Sequence, residues 1–296
     1  MDGLLIVDKP VGPTSHDVVA RARRRLGERR IGHTGTLDPA ATGLLVLVFG
    51  RATKLAALLT SGDKTYEAVV RFGIRTTTDD GEGTPIGSPS ANLPTESDVM
   101  TTLDAFRGVF DQTPPAHSAK KVGGAKAYDL ARRDKPVALK PVQVSVRALE
   151  RLEYQAGILQ LRVTAASGFY VRALARDLGD RLGCGAHLSA LRRTASGPFH
   201  LADALSLETA EARGGSIEAA LVAPADALPQ LAAVSVTESG LRRAIHGNAL
   251  SPDHLVRPLG PREAGAGPVK VLAPDGRLVA LAHLRGGVLH PMAVLG

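Results

Sequence analysis

Apolar positions along the chain fall into two kinds of run, continuous and helically spaced. Leu4 to Val7 and Leu44 to Phe49 are unbroken apolar stretches of the kind that form strands buried on both faces, and Tyr66 to Phe72 reads as a third strand. Between the first two, Val18, Val19, Ala22 and Leu26 keep helical spacing behind Ser15, the expected N-cap, and the pattern stops at Gly27. A short helix is expected over Thr53 to Leu59 and another over Ser97 to Phe106, separated by a stretch from Thr76 to Pro94 whose Thr, Asp, Gly, Ser and Pro content reads as loop. Val142 to Leu152 and Ile158 to Ala165 read as paired strands, and Val171 to Leu182 as a helix with Leu174, Leu178 and Leu182 at core spacing. With Tyr170 to Arg172 extended, their i, i+2 spacing would put both side chains on one face. The composition changes around Val222 to Pro229, beyond which Ala232 to Val236, Val269 to Ala273 and Leu278 to Leu284 alternate with Gly/Pro turns. The pattern therefore predicts a larger α/β (α+β) domain over residues 1–224 and a small β-rich domain over 225–296, two domains being ordinary for 296 residues. No internal repeat is visible.

Charge adds a partner class. Lys and Arg number 36 against 29 Asp and Glu, for a net charge of +7, which suits a polyanion. The distribution says more. Arg21, Arg23, Arg24, Arg25, Arg29 and Arg30 precede one Gly-rich loop, and a basic insertion at about 114–140 carries Lys120, Lys121, Lys126, Arg132, Arg133, Lys135 and Lys140. Aromatic residues make up 3% of the chain, too few for an extended stacking platform on single strands. The single cysteine, Cys184, allows no internal disulfide, and no His/Cys cluster has zinc-like spacing, so no metal is expected. Neither a Walker-type loop nor a dinucleotide fingerprint occurs, so no nucleotide cofactor is expected. The first apolar run is too short for a signal peptide and no run reaches the roughly 18 residues of a membrane span, so a cytoplasmic protein is expected.

The strongest chemical candidate lies in the loop Gly32-His-Thr-Gly-Thr-Leu-Asp-Pro-Ala-Ala-Thr-Gly43, which runs into the apolar stretch from Leu44. Its glycines permit turns closed to other residues, and Pro39 biases Asp38 toward extended backbone, so one carboxylate is held at the tip. Taken alone, the same pattern also suits an Asp that only caps a turn.

Five segments, in order, resemble the TruB-type tRNA pseudouridine synthases: Gly3 to Ser15, the loop from Gly32 to Leu45, Asp63-Lys-Thr-Tyr-Glu67, Ser167-Gly-Phe-Tyr-Val-Arg172, and Asp177 to Arg193. They lie in the first two thirds of the chain. The resemblance implies a largely antiparallel sheet in the catalytic domain, with the C-terminal domain resembling a PUA RNA-binding module whose opening helix matches Gly240 to Gly247. It implies isomerisation of uridine 55 in the T-psi-C arm of tRNA, on a nucleotide flipped out of its stack, with Asp38 as the catalytic carboxylate, Arg172 as its cationic partner and Tyr66 stacking on the base. His33, Tyr170 and Leu191 are the implied substrate contacts, and Lys9, Lys54, Lys120, Lys121, Arg192 and Arg193 the phosphate-contact candidates. His117 stands where the family has tyrosine. No cofactor is implied, and a monomer is expected. Rival readings are a guide-RNA-dependent relative, which lacks the 114–140 insertion, and a tRNA-folding chaperone. A carboxylate-dependent hydrolase is disfavoured for want of a second acid in a comparable motif.

Overall fold

The computed structural model describes residues 1–116, 139–257 and 267–296, and the backbone of two short paired strands, β8 (Lys121–Val122) and β9 (Ala125–Lys126). The largest sheet among the described residues has ten strands. Its strands include β1 (Gly3–Lys9), β2 (Ile31–Thr34), β3 (Thr42–Phe49), β4 (Lys64–Phe72), β7 (Gly108–Gln112), β10 (Val142–Gln155), β11 (Ile158–Ala165), β12 (Ala186–Ser196) and β14 (Leu205–Ser206). The spatial order is β14-β1-β3-β12-β4-β11-β10-β7, with β2 beside β3 and β13 (Phe199–His200) beside β12. All pairs are antiparallel except β1 with β14 and β12 with β3, so the expected mixed, largely antiparallel architecture is present.

The unbroken apolar runs of β1 and β3 have a physical cause. Leu4, Ile6, Leu44, Val46 and Val48 point into one core cluster, while Leu5, Val7, Leu45, Leu47 and Phe49 point into another on the opposite face. Helix α1 (Ser15–Leu26) covers the second face with Val18, Val19 and Ala22. Its N-cap is Thr14 rather than the expected Ser15: the Thr14 hydroxyl accepts from the Asp17 amide, and Asp17 accepts in return from the Thr14 amide. Ser15 is buried instead and bonds both the amide and the carbonyl of Leu37.

Gly50–Leu55 forms a 3-10 turn ahead of α2 (Ala56–Thr60), and the segment expected as loop from Thr76 carries a small hairpin of β5 (Arg75–Thr76) and β6 (Pro85–Ile86). Strands β4 and β11 alternate as half-buried strands do, and Ala68, Val70, Phe72, Leu159, Leu161 and Val163 build a third core. Against it pack α3 (Glu96–Asp104), through Val99 and Leu103, and α4 (Val171–Arg181), through Leu174, Ala175 and Leu178. The α4 helix starts at Val171, so Arg172 sits in its first turn and Tyr170 is its N-cap. The helix thus starts where the apolar spacing of Val171, Leu174 and Leu178 predicts it, and Tyr170 and Arg172 do not share one face of an extended strand.

C-terminal strands β15 (Ala233–Ser235), β16 (Val269–Leu272), β17 (Leu278–Arg285) and β18 (Val288–Val294) form a separate four-stranded sheet in that order, with helix α6 (Glu238–Ile245) against it. Helix α5 (Leu207–Arg213) precedes this region. Ala227, Leu228, Leu278, Leu281 and Leu295 join Leu4, Leu44 and Val46 in one apolar cluster, so the boundary expected at 224 falls inside a shared core. No helix among the described residues is long and apolar enough to cross a membrane.

Candidate active site

Asp38 sits on the loop between β2 and β3, and that loop is closed around one side chain. At Gly43 the backbone takes φ +99°, and a Cβ there would lie 2.3 Å from the Arg193 carbonyl oxygen. Only glycine permits this approach of β3 to β12. From β12, the Arg193 guanidinium donates to the carbonyls of Leu44 (2.7 Å), Gly35 (3.1 Å) and Thr36 (3.5 Å), which flank the loop on both sides. Arg193 is only 1% exposed.

Lys9 braces the loop from below. Its Nζ donates to the carbonyls of Pro10 (2.8 Å), Pro13 (2.9 Å) and Pro39 (3.4 Å), and the residue is 0% exposed. Burial lowers its pKa, against the opposing pull of the Asp38 carboxylate. A phosphate-contact role for Lys9 and Arg193 is thus overturned: both are enclosed by backbone carbonyls that need a donor, which is why a cation occurs there.

The Asp38 carboxylate meets Arg172 at 3.1 Å, with side chains 42% and 11% exposed respectively. The same guanidinium reaches Asp80 at 3.2 Å and the Thr78 carbonyl at 3.3 Å. Asp80 is itself fixed, its other oxygen accepting from the Thr78 hydroxyl and the Glu82 amide. Arg172 is therefore held from behind by one carboxylate and presents its remaining fork to another. One turn along α4, Arg176 pairs with Asp79 (3.1 Å) and Asp177 (2.8 Å) and donates to the Thr113 carbonyl (2.7 Å). Burial raises the pKa values of Asp79 and Asp177 even though Arg176 opposes it.

Tyr66 on β4 stands directly across from Arg193 on β12, and Leu191 lies two residues before Arg193 on the same face. Tyr66 and Leu191 both pack, half-buried, between two core clusters. Tyr170 has its backbone clamped by Gln112 at the end of β7: the Gln112 amide donates to the Tyr170 carbonyl at 3.1 Å and accepts from the Tyr170 amide at 2.9 Å. His33 on β2 meets His16 edge-on with ring centroids 5.2 Å apart, and burial lowers its pKa, followed by the charges of His16 and Arg193.

The structure thus brings Asp38 and Arg172 into contact, sets Tyr66 and Leu191 on the strand pair that carries Arg193, and bonds Arg193 to the Asp38 loop. Lys54 is exposed but its Nζ donates to the Val294 carbonyl at 2.5 Å, tying the first domain to the last strand. Arg192 pairs with Asp8 at 2.7 Å. The side chains of Lys120 and Lys121, the His117 substitution and nearly all of the 114–140 insertion lie outside the described residues. Sequence reasoning missed Asp80, Arg176 and Gln112. The only cue for Asp80 was its place in a Thr/Asp/Gly-rich stretch, which reads equally as ordinary loop. Among the described residues no group of three His, Cys, Asp or Glu side chains is arranged to hold a metal ion.

Known proteins share this arrangement of sequence and fold. The profile of the TruB family pseudouridylate synthase N-terminal domain matches residues 23–171, and that of the tRNA pseudouridylate synthase B C-terminal domain matches residues 172–228. The chain is 43% identical to tRNA pseudouridine synthase B of Thermobifida fusca, covering 99% of this chain and 98% of the relative. It is 44% identical to the protein of that name from Ralstonia nicotianae, covering 98% and 92%. Among solved structures, a Cbf5-Nop10-Gar1 complex superposes with a TM-score of 0.76 at 25% identity, covering 99% of this chain and 85% of the other. An H/ACA RNP bound to a substrate RNA containing 2'-deoxyuridine shares the fold at a TM-score of 0.75 and 23% identity, with the same coverage. With half its length matched by one profile and nearly all of it aligned to these relatives, the chain belongs to the TruB family of pseudouridine synthases.

Proposed function

We propose that this enzyme, a tRNA pseudouridine synthase, isomerises uridine 55 in the T-psi-C stem-loop of tRNA, acting as a cytoplasmic monomer with Asp38 as the catalytic carboxylate. The observation that carries the reading is the Asp80–Arg172–Asp38 arrangement, in which a braced guanidinium faces the one carboxylate mounted at a loop tip. The reaction breaks the C1'–N1 bond, joins C5 to C1', releases the C5 proton and adds a proton to N1, so that product and substrate are isomers. Asp38 can add to the sugar or the base, or take a proton from C2', and every route needs it charged and fixed in place. Arg172 holds it in place, its guanidinium meeting the carboxylate at 3.1 Å.

Tyr66 and Leu191 form the walls against which the extruded base rests, with Tyr170 at the start of α4 and His33 beside the loop. Extrusion costs a few kcal/mol of stacking, offset by those contacts and by basic side chains on the phosphates, for which Lys54 and Lys121 are the candidates. Residues 225–296 act as a PUA-like RNA-binding domain. Identity of 43% over nearly the whole chain to a protein named tRNA pseudouridine synthase B, against 25% to a chain of a Cbf5-Nop10-Gar1 complex, supports the stand-alone reading over the guided one. The test is site mapping of pseudouridine in a full-length tRNA transcript incubated with the purified chain alone. Product at position 55 is expected; product elsewhere, or only with an added guide RNA, would refute the assignment.

A further inference from the structure

Arg193 is a buried cation without a carboxylate among its described partners. Moving a guanidinium out of water is costly unless each donor is satisfied, and an anion normally provides the compensation. Here the partners are the carbonyls of Gly35, Thr36 and Leu44, and Tyr66 stands directly across the strand pair from Arg193. Burial and then the Arg193 charge lower the pKa of Lys64, to about 8, so the guanidinium projects a positive field into the space behind the loop.

Two consequences follow from the chemistry of the side chain. A guanidinium donates and never accepts, so a Tyr66 hydroxyl that meets its cross-strand neighbour Arg193 does so as an acceptor, with its own proton free for another partner. The planar fork also fixes distances among its partners, as a single ammonium cannot. The carriers of Asp38 and Tyr66 are otherwise separate, a loop between β2 and β3 and the strand β4.

We infer that Arg193 is a positioning residue for the isomerisation, locking the Asp38 loop and the Tyr66 ring into one mutual geometry from beneath the site. The inference rests on the proposed roles of Asp38 and Tyr66. It goes beyond them by assigning a role in the reaction rate to a residue that the bound RNA has no need to touch.

The test is single-turnover pseudouridine formation at saturating enzyme, with tRNA affinity measured separately. Arg193→Met fills the stem and removes the buried charge. Its expected rate constant is lower by about tenfold or more, as for loss of alignment in the transition state, while tRNA affinity stays within about threefold. Arg193→Lys keeps the charge and serves if the Met variant does not fold. It is expected to bind tRNA and melt like the wild type yet stay slow, because one ammonium cannot replace the fork. In a Tyr66→Phe background the further loss from Arg193→Met is expected to be smaller than in the wild type. A merely structural role would lower the melting temperature and the fraction of folded enzyme and, with folded enzyme still saturating, leave the rate constant alone. An unchanged rate constant, full rescue by lysine, or effects of the two sites that multiply would each overturn the role. An inactive wild type would instead remove the reaction itself, and the role with it.

Discussion

Asp80→Asn is the most informative perturbation outside the catalytic loop. In the wild type one Asp80 oxygen accepts from Thr78 and Glu82 while the other faces Arg172 at 3.2 Å, and both Asp80 and Arg172 are 11% exposed at the side chain. Asparagine keeps the shape but turns one oxygen into a donor. Placed toward Arg172, the new NH2 opposes the guanidinium; placed toward Thr78 and Glu82, it opposes the Glu82 amide, while the Thr78 hydroxyl must turn to accept. Either way Arg172 loses a charged partner while Asp38 still pulls on its other nitrogen. A hydrogen bond to a charged group is worth about 1.5–3 kcal/mol, and a loss of that size felt in the transition state slows the reaction about 10- to 150-fold. The assay is again single-turnover pseudouridine formation, paired with filter binding of tRNA. A slowed rate with affinity within about threefold is expected, because Asp80 has no substrate to touch. A folded variant within about twofold of the wild-type rate would refute the idea that Asp80 braces Arg172.

Lys64 makes stability depend on pH. Its pKa is pushed down to about 8 in the folded protein, below the roughly 10.4 of an unfolded chain, so between these values the unfolded state binds more protons and stability rises with pH. The unfolding free energy of the wild type should therefore gain on that of Lys64→Met from about pH 8 to 10, and a constant difference would contradict the burial account. Lys9→Gln should lower the melting temperature by removing a donor from three carbonyls, yet leave the slope of log affinity against log salt for tRNA unchanged. A slope smaller by about one would restore Lys9 as a phosphate contact.

Much of the fold was legible because β1, β3, β4, β11 and α4 carry their packing in their own periodicity. Strand β12 was not recognised as a strand, since its Arg192, Arg193 and Thr194 break the apolar pattern, and Arg193 faces carbonyls rather than solvent. For the same reason Lys9 and Arg193 read as surface cations: a sequence shows charge but not the carbonyls that surround it. Asp38 and Arg172 could be paired through resemblance, whereas Asp80 could not, because its value comes from a contact 92 residues away. The helix starts at Val171 as its periodicity predicts, which puts Arg172 in the first turn against Asp38 and Asp80.

The central claim is that Asp38 performs the chemistry. Its most direct test is the single-turnover rate of Asp38→Asn on a tRNA transcript, with affinity measured on the same preparation. The account requires the rate to fall by about a thousandfold or more while tRNA is bound within about threefold of wild type, since asparagine fills the same space beside Arg172 without the charge. Pseudouridine formed by Asp38→Asn at close to the wild-type rate would place the catalytic carboxylate elsewhere.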